Sequence, residues 1–138
     1  MEIRIDIDDK KGISSSINAL GVMYVRKSDF DNALEYYQKS LVLRKDLGDK
    51  IRIAGLYLNI GVIYFYRGDH ATALEYYQKS LLIKEAMGDK VVISDILNNM
   101  GSLYYNKGDY PTSLDFFQKS LGICILMGNS ILLLLVST

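Results

Sequence analysis

The sequence predicts an all-α fold, an α–α superhelix in which antiparallel helix pairs stack into a solenoid, and three observations carry that prediction. The stretch Ala33-Leu34-Glu35-Tyr36-Tyr37-Gln38-Lys39-Ser40-Leu41 returns letter for letter as Ala73 to Leu81, and in altered form as Ser113-Leu114-Asp115-Phe116-Phe117-Gln118-Lys119-Ser120-Leu121. The copies stand 40 residues apart, so each belongs to one supersecondary unit that buries its apolar face only against its neighbours. Apolar residues recur at helical spacing within each unit, and Gly48-Asp49, Gly68-Asp69, Gly88-Asp89 and Gly108-Asp109 mark connections too short for anything but antiparallel neighbours.

Taken in order, residues 1–10 align without a gap on 41–50, with Arg4 on Arg44, Asp6 on Asp46, Asp9 on Asp49 and Lys10 on Lys50. This opening segment reads as the end of a partial repeat. Repeats at 11–50, 51–90 and 91–130 follow, and 131–138 reads as the start of another, all within a single array over 1–138. The first A helix is predicted over Lys11 to Lys27, with Ile17, Leu20, Gly21 and Tyr24 on one face. Gly21 recurs as Gly61 and Gly101, and glycine inside a helix costs about 1 kcal/mol relative to alanine, so its return demands a steric cause. Close approach of Ala33, Ala73 and Ser113 is the expected one.

Ser28-Asp29 and its two Gly-Asp counterparts turn the chain into helix B, predicted over Asp31 to Leu47, Ala71 to Met87 and Pro111 to Met127. Pro111 sits in the first turn, where its missing N–H is not needed. Phe30, Ala33, Leu34, Tyr37 and Leu41 form the apolar stripe, while Glu35–Lys39, Glu75–Lys79 and Asp115–Lys119 are spaced as exposed ion pairs. Gly48, Gly88 and Gly128 are expected to end the B helices, and Asp49 and Asp89 to cap the next A helices, over Ile51 to Arg67 and Val91 to Lys107.

Sixteen basic residues against sixteen acidic ones leave no field to attract nucleic acid or an anionic membrane. The N-terminus mixes acids into its apolar residues and lacks the order of a secretory signal. Ile131 to Val136 is strongly apolar but is cut from Ile123 to Met127 by Gly128-Asn129-Ser130, and both pieces are short of the roughly 20 residues a membrane span needs. The lone cysteine, Cys124, permits a reducing compartment. A cytoplasmic protein with no cofactor and no metal is expected.

With Leu20-Gly21, Tyr24, Ala33 and Tyr37, then Ile60-Gly61, Tyr64, Gly68, Ala73 and Tyr77, then Met100-Gly101, Tyr104, Gly108 and Phe117, the chain resembles the tetratricopeptide repeat family along its whole length. The 40-residue period, Gly88-Asp89-Lys90 and the run from Leu97 to Gly101 are similar to the long-helix branch found in kinesin light chains, spindle-orientation scaffolds, and bacterial regulators and sensor kinases. Ser28 stands in the place of a turn glycine and Ser113 in that of a packing alanine. The resemblance implies a right-handed superhelix whose concave wall of A helices holds a peptide or helix of a partner protein. The chaperone-tail clamp of some members falls on Asn18, Val22, Asn59, Asp95 and Asn99, where only Asn59 matches and the basic residues are missing. In long-helix members, A-helix asparagines bond the backbone of a bound peptide, and Asn59 and Asn99 match those places, with Asn18 and Asn98 beside them.

An asparagine amide both donates and accepts, so it satisfies a peptide unit without reading side chains. The expected groove is therefore neutral and formed by Asn18, Val22, Arg26, Asn59, Val62, Tyr66, Asn98, Asn99, Ser102 and Tyr105. His70 takes the place of Phe30 and Tyr110 and reads as a packing ring. Cys124 takes that of Arg44 and Lys84 at a presumed helix surface, without a partner for nucleophilic chemistry. The function these readings converge on is a non-enzymatic interaction module of a larger signalling or scaffold protein. Two alternatives stand beside it: self-assembly through uncapped repeat ends, and the sensor array of a bacterial signalling regulator.

Overall fold

The computed structural model describes residues 6–128, and these form six helices: α1 (Ile7–Arg26), α2 (Phe30–Asp46), α3 (Lys50–Tyr66), α4 (His70–Met87), α5 (Lys90–Asn106) and α6 (Tyr110–Met127). Each starts on an aspartate. Asp6, Asp29, Asp49, Asp69, Asp89 and Asp109 all accept a hydrogen bond from the backbone N–H three residues on, which satisfies a donor that the helix itself leaves unpaired. That rule moves one predicted boundary. Because Asp6 caps α1, with Asp8 and Asp9 in its first turn, Ile7 to Lys10 join α1 and do not end a preceding helix. The expected opening of a further unit at 131–138 lies outside the described residues.

Gly48, Gly68, Gly88 and Gly108 take positive φ at the connections, and Ser28 does so at φ 59°. Gly128 ends α6 at φ −90°, so it closes the helix without the left-handed turn expected of it.

Helices pair as α1 with α2, α3 with α4 and α5 with α6, and successive pairs meet through α2 against α3 and α4 against α5. The buried apolar clusters lie at those meetings. One joins Ala33, Tyr37 and Leu41 of α2 to Ile53, Leu56, Ile60 and Ile63 of α3, and the other joins Ala73 and Tyr77 of α4 to Ile96, Leu97, Met100 and Leu103 of α5. A unit alone therefore lacks its core, and the stack supplies it. On α6 the same stripe faces outward: Phe117 is 37% exposed where Tyr37 and Tyr77 are 3% and 1%, because no helix follows α6 among the described residues.

Inside each pair, buried Ser40, Ser80 and Ser120 tie helix B to helix A, through Ser14, the Ala54 carbonyl and Ser94 respectively. Stacked rings add a second tie: Tyr24 on Tyr36, Tyr64 on Tyr76 and Tyr104 on Phe116, at 5.5, 5.8 and 5.5 Å between centroids.

The recurring helical glycine is explained first by a ring, with the expected alanine close beside it at Gly61. A Cβ on Gly21 would sit 2.6 Å from Tyr37, one on Gly61 2.7 Å from Tyr77, and one on Gly101 2.8 Å from Phe117. Ala73 does come close, its carbonyl lying 3.2 Å from such a Cβ on Gly61, and Ser113 instead donates a 2.8 Å hydrogen bond to the Gly101 carbonyl. Leu20, assigned to the inner face, is exposed because Ser14, Ile17, Gly21 and Tyr24 already fill that side. Of the three predicted i,i+4 ion pairs only Glu35–Lys39 forms among the described residues, at 3.1 Å. Lys79 and Lys119 lie over the rings of Tyr76 and Phe116 at 5.1 and 5.4 Å, as Lys39 does over Tyr36 at 5.5 Å.

Candidate functional site

Where α1 and α3 come together over α2, a cavity of about 290 Å³ opens. Its walls are Ser15 and Asn18 from α1, Ile51, Arg52, Gly55, Leu56 and Asn59 from α3, and Ser40 and Arg44 from α2. Two of the predicted groove asparagines, Asn18 and Asn59, thus reach one site although they are on different helices. A second hollow of about 530 Å³ adjoins it, sharing Ser15, Arg44 and Arg52 and adding Lys11, Gly12, Leu47 and Asp49.

The position read as helix surface is buried. Arg44 and Lys84 are each 4% exposed, since each lies where helix B passes into the next A helix. Each is paired five residues on with the capping aspartate: Arg44 Nη1 donates to Asp49 at 3.1 Å and Lys84 Nζ to Asp89 at 3.3 Å. A charge taken out of water needs such a partner. Arg44 also donates through Nη2 to the Ser15 hydroxyl at 2.9 Å and to the Lys11 carbonyl at 3.4 Å, which binds α1, α2 and the α3 cap to one guanidinium. Arg52, exposed, shares the same Asp49 oxygen at 3.3 Å. The expected neutral wall is accordingly basic at this point, with two guanidinium groups on one carboxylate.

Sequence reasoning missed Arg44, Arg52, Ser40, Ile51 and Leu56. A signal for the first existed: a basic residue followed five residues later by aspartate, at Arg44–Asp49 and again at Lys84–Asp89. In the third unit both members change together, to Cys124 and Asn129. Cys124 is exposed, with its Sγ 3.1 Å from the Ser94 hydroxyl.

The other predicted groove residues are spread along the A helices. Val22, Arg26 and Asn98 are exposed, and Asn99 is half-buried. Val62 packs against the second core cluster. Tyr66 is exposed but stacks on Phe30 at 5.9 Å, and Tyr105 meets Tyr110 edge-on at 5.4 Å. The Ser102 carbonyl accepts a hydrogen bond from the Asn106 amide at 3.0 Å.

His70 packs on Phe65 at 5.7 Å, as a packing ring at that boundary should. Its neighbour Asp69 titrates below the ordinary carboxylate range, because the Thr72 side chain and backbone N–H both bond the carboxylate and His70 adds a favourable field. Burial pushes the Tyr37 phenol up, and pushes Tyr77 up to about 12 with help from the nearby Tyr66. Both are packing rings against a glycine. Among the described residues no three His, Cys, Asp or Glu side chains are grouped to hold a metal ion, and no helix is long and apolar enough to cross a membrane.

No curated protein sequence matches the chain significantly. Among solved structures, BtubC (BKLC) from P. vanneervenii is similar over 83% of this chain and 48% of its own, with 24% identity and a TM-score of 0.76. This chain thus spans about half of BtubC. The TPR domain of Arabidopsis FLU is similar over 82% of this chain and 95% of its own, with 18% identity and a TM-score of 0.75. The TPR2AB domain of yeast Sti1, in a complex with pHSP90, is similar over 82% of this chain and 42% of its own, with 24% identity and a TM-score of 0.70. These likenesses concern the fold. The profile of the tetratricopeptide repeat matches residues 12–86 and again 52–125, two windows displaced by one 40-residue unit, and the chain belongs to the tetratricopeptide repeat family.

Proposed function

We propose that the chain is a non-catalytic protein–protein interaction module that holds a peptide or helical segment of a partner against the wall formed by α1, α3 and α5, within a cytoplasmic signalling or scaffold protein. The observation that carries this reading is the meeting of Asn18 and Asn59 at one cavity between two A helices, an arrangement suited to bonding consecutive peptide units. Family membership supports it, and so does the yeast Sti1 domain, whose structure contains pHSP90. The test begins with a partner captured from lysate and trimmed to its shortest binding peptide. Asn59→Ala with Asn99→Ala should weaken that peptide's affinity about tenfold, the loss of one to two net hydrogen bonds, while helicity and melting temperature stay unchanged. Unaltered affinity would remove the reading.

A second reading, self-association, is favoured by one feature. Leu114, Phe117, Leu121, Ile125 and Leu126 are all exposed along α6, a contiguous apolar face of the kind that stacks in repeat proteins. Light scattering from micromolar to millimolar concentration decides it. A mass that stays at one chain throughout excludes the second reading.

A further inference from the structure

The two junctions also differ beyond the peptide-holding wall. Tyr57 of α3 bridges the first: its ring meets that of Tyr76 on α4 at 6.0 Å between centroids, and the ammonium groups of Lys45 and Lys79 lie 5.7 and 5.6 Å from its centre. One ring thus joins α2, α3 and α4. Aromatic faces attract both rings and cations, so this junction displays a complete set of contacts for an aromatic side chain.

At the second junction part of that set recurs and the ring does not. Phe116 stands in the place of Tyr76 and Lys119 in that of Lys79, with the Lys119 ammonium 5.4 Å from the centre of the Phe116 ring. Leu97 stands in the place of Tyr57 and is drawn into the second core cluster. Leu97, Phe116 and Lys119 all line a groove of about 670 Å³ between α4, α5 and α6, which shares no residue with the cavity between α1 and α3. Two further exchanges open and extend it. Gly122 replaces Leu82, and nothing lies within 4 Å of a Cβ built on it, so the fold gives no steric reason for a residue that weakens a helix. Glycine there lets another molecule come close to α6. Ile125 and Leu126 replace Glu85 and Ala86, and both are exposed at the edge of the groove.

Charge narrows the occupant. Glu85 lines the α4 side in the place of Lys45, and among the described residues neither Glu85 nor Lys119 forms an ion pair. A ring lodged between them finds a cation for its face and a carboxylate that accepts from an O–H or N–H on its rim. Tyrosine and tryptophan supply both features. Exposed Ile125 and Leu126 continue the apolar surface past the ring, so the occupant needs apolar residues beside it, as an anchor in a protein interface has.

We infer that the groove between α4, α5 and α6 is a second interaction site, which takes a tyrosine or tryptophan of a partner protein, flanked by apolar residues, where the first junction has its own Tyr57. The site is independent of the asparagine wall.

The test uses the full 138-residue chain, labelled with nitrogen-15 and with carbon-13 in its methyl groups. Three probes are titrated: N-acetyltyrosinamide, N-acetylphenylalaninamide, and N-acetylcyclohexylalaninamide, whose ring is saturated. The tyrosine probe is expected to shift the Gly122 amide to saturation, to give Overhauser contacts from its ring to the Leu97 methyls, and to bind about threefold tighter than the phenylalanine probe. The saturated ring should bind weakest. Equal or tighter binding of the saturated ring, or ring contacts that avoid Leu97, overturns the inference.

Leu97→Tyr, which installs the residue of the first junction, should abolish binding of all three probes. Gly122→Leu, which installs the residue of the second unit where a Cβ has open space, should weaken it about tenfold and keeps the test decisive if Leu97→Tyr does not fold. Binding that survives Gly122→Leu unchanged overturns the inference. Lys119→Met keeps the apolar stem and should weaken the two aromatic probes about three- to fivefold without affecting the saturated one. The same loss for all three overturns the reading of the groove as a ring site. The blocked tripeptide Leu-Tyr-Leu should bind about tenfold tighter than the tyrosine amide, its leucines covering the apolar edge. Equal affinity assigns the groove to a free aromatic molecule and overturns the protein partner. So does a mass above one chain in light scattering that Leu97→Tyr returns to one, since a second copy then supplies the ring.

Discussion

The first helix pair with its junction to α3, and the second with its junction to α5, share the ring-on-glycine, serine and cap-aspartate contacts of the repeat and differ most on the open wall. Tyr37 and Tyr77 are sealed against Gly21 and Gly61, Ser40 and Ser80 tie each pair, and Arg44 and Lys84 reach the aspartate that caps the next helix. Across the cavity mouth, Arg52 gives way to Val92 and Gly55 to Asp95. The lesson is that the period is kept where a side chain has two helices against it. At the cavity mouth the units have gone separate ways, Arg52 being exposed while Val92 packs on the second core cluster, and that is where binding chemistry is expected.

The sharpest comparison is between the two capping aspartates. Asp49→Ala removes a helix cap and strands a buried guanidinium, and is expected to cost about 3 kcal/mol in urea unfolding. Asp89→Ala should cost about 2 kcal/mol, because its carboxylate is 36% exposed against 18% for Asp49, and the Lys84 stem is free to carry its ammonium toward water. Equal losses would make the two junctions energetically alike. The glycines come next. Gly61→Ala meets both the Tyr77 ring and the Ala73 carbonyl, and overpacking less the alanine helix preference gives a loss of about 2 kcal/mol. Gly21→Ala has its three nearest contacts all on the Tyr37 ring, which can tilt, and should lose about 1 kcal/mol by the same measurement.

These contrasts also show what was legible before any coordinates. The nine-residue return and the Gly-Asp connections placed every helix, with boundaries shifted by a residue except at α1. There the apparent likeness of residues 1–10 to 41–50 competed with Asp6, whose cap geometry decides the helix start. The stripe from Phe30 to Leu41 was legible as buried, but its partner was not. Periodicity tells that a face is apolar without telling whether it meets its own pair or the next, and here the buried cluster forms with the next. Arg44 was misread for a related reason. A charge on a helix is normally solvated, and only the carboxylate supplied five residues later, across a turn, permits its burial. Asn18 and Asn59 were readable as polar residues on A helices, whereas their sharing of a recess with two arginines depended on how α1 leans over α3.

The turns of the two units differ at one backbone position. Ser28 holds φ 59° where Gly68 holds φ 79°, and an L side chain in the left-handed region costs about 1 kcal/mol or more. Ser28→Gly should therefore stabilise the chain by about 0.5 to 1 kcal/mol, the gain reduced by the greater freedom of glycine when unfolded. Gly68→Ser should destabilise it by a similar amount. A neutral Ser28→Gly would mean that the first turn has relaxed its strain elsewhere.

The smallest effect at neutral pH separates the two sealed tyrosines. In the unfolded chain both phenols ionise near 10, while in the folded chain burial holds Tyr37 above that and Tyr77 at about 12. Between pH 10 and 12 the native state keeps protons that the unfolded state has lost, so stability is complete below pH 10 and declines as pH rises through that window. Tyr77→Phe retains the ring against Gly61 and removes its share of the decline. Tyr37→Phe should flatten the slope less, since Tyr37 has no second phenol acting on it as Tyr66 acts on Tyr77. Urea midpoints at pH 9, 10 and 11 for the two variants measure this, with both close to the parent at pH 7. If Tyr37→Phe flattened the slope as much as Tyr77→Phe, the first junction would be as dry as the second.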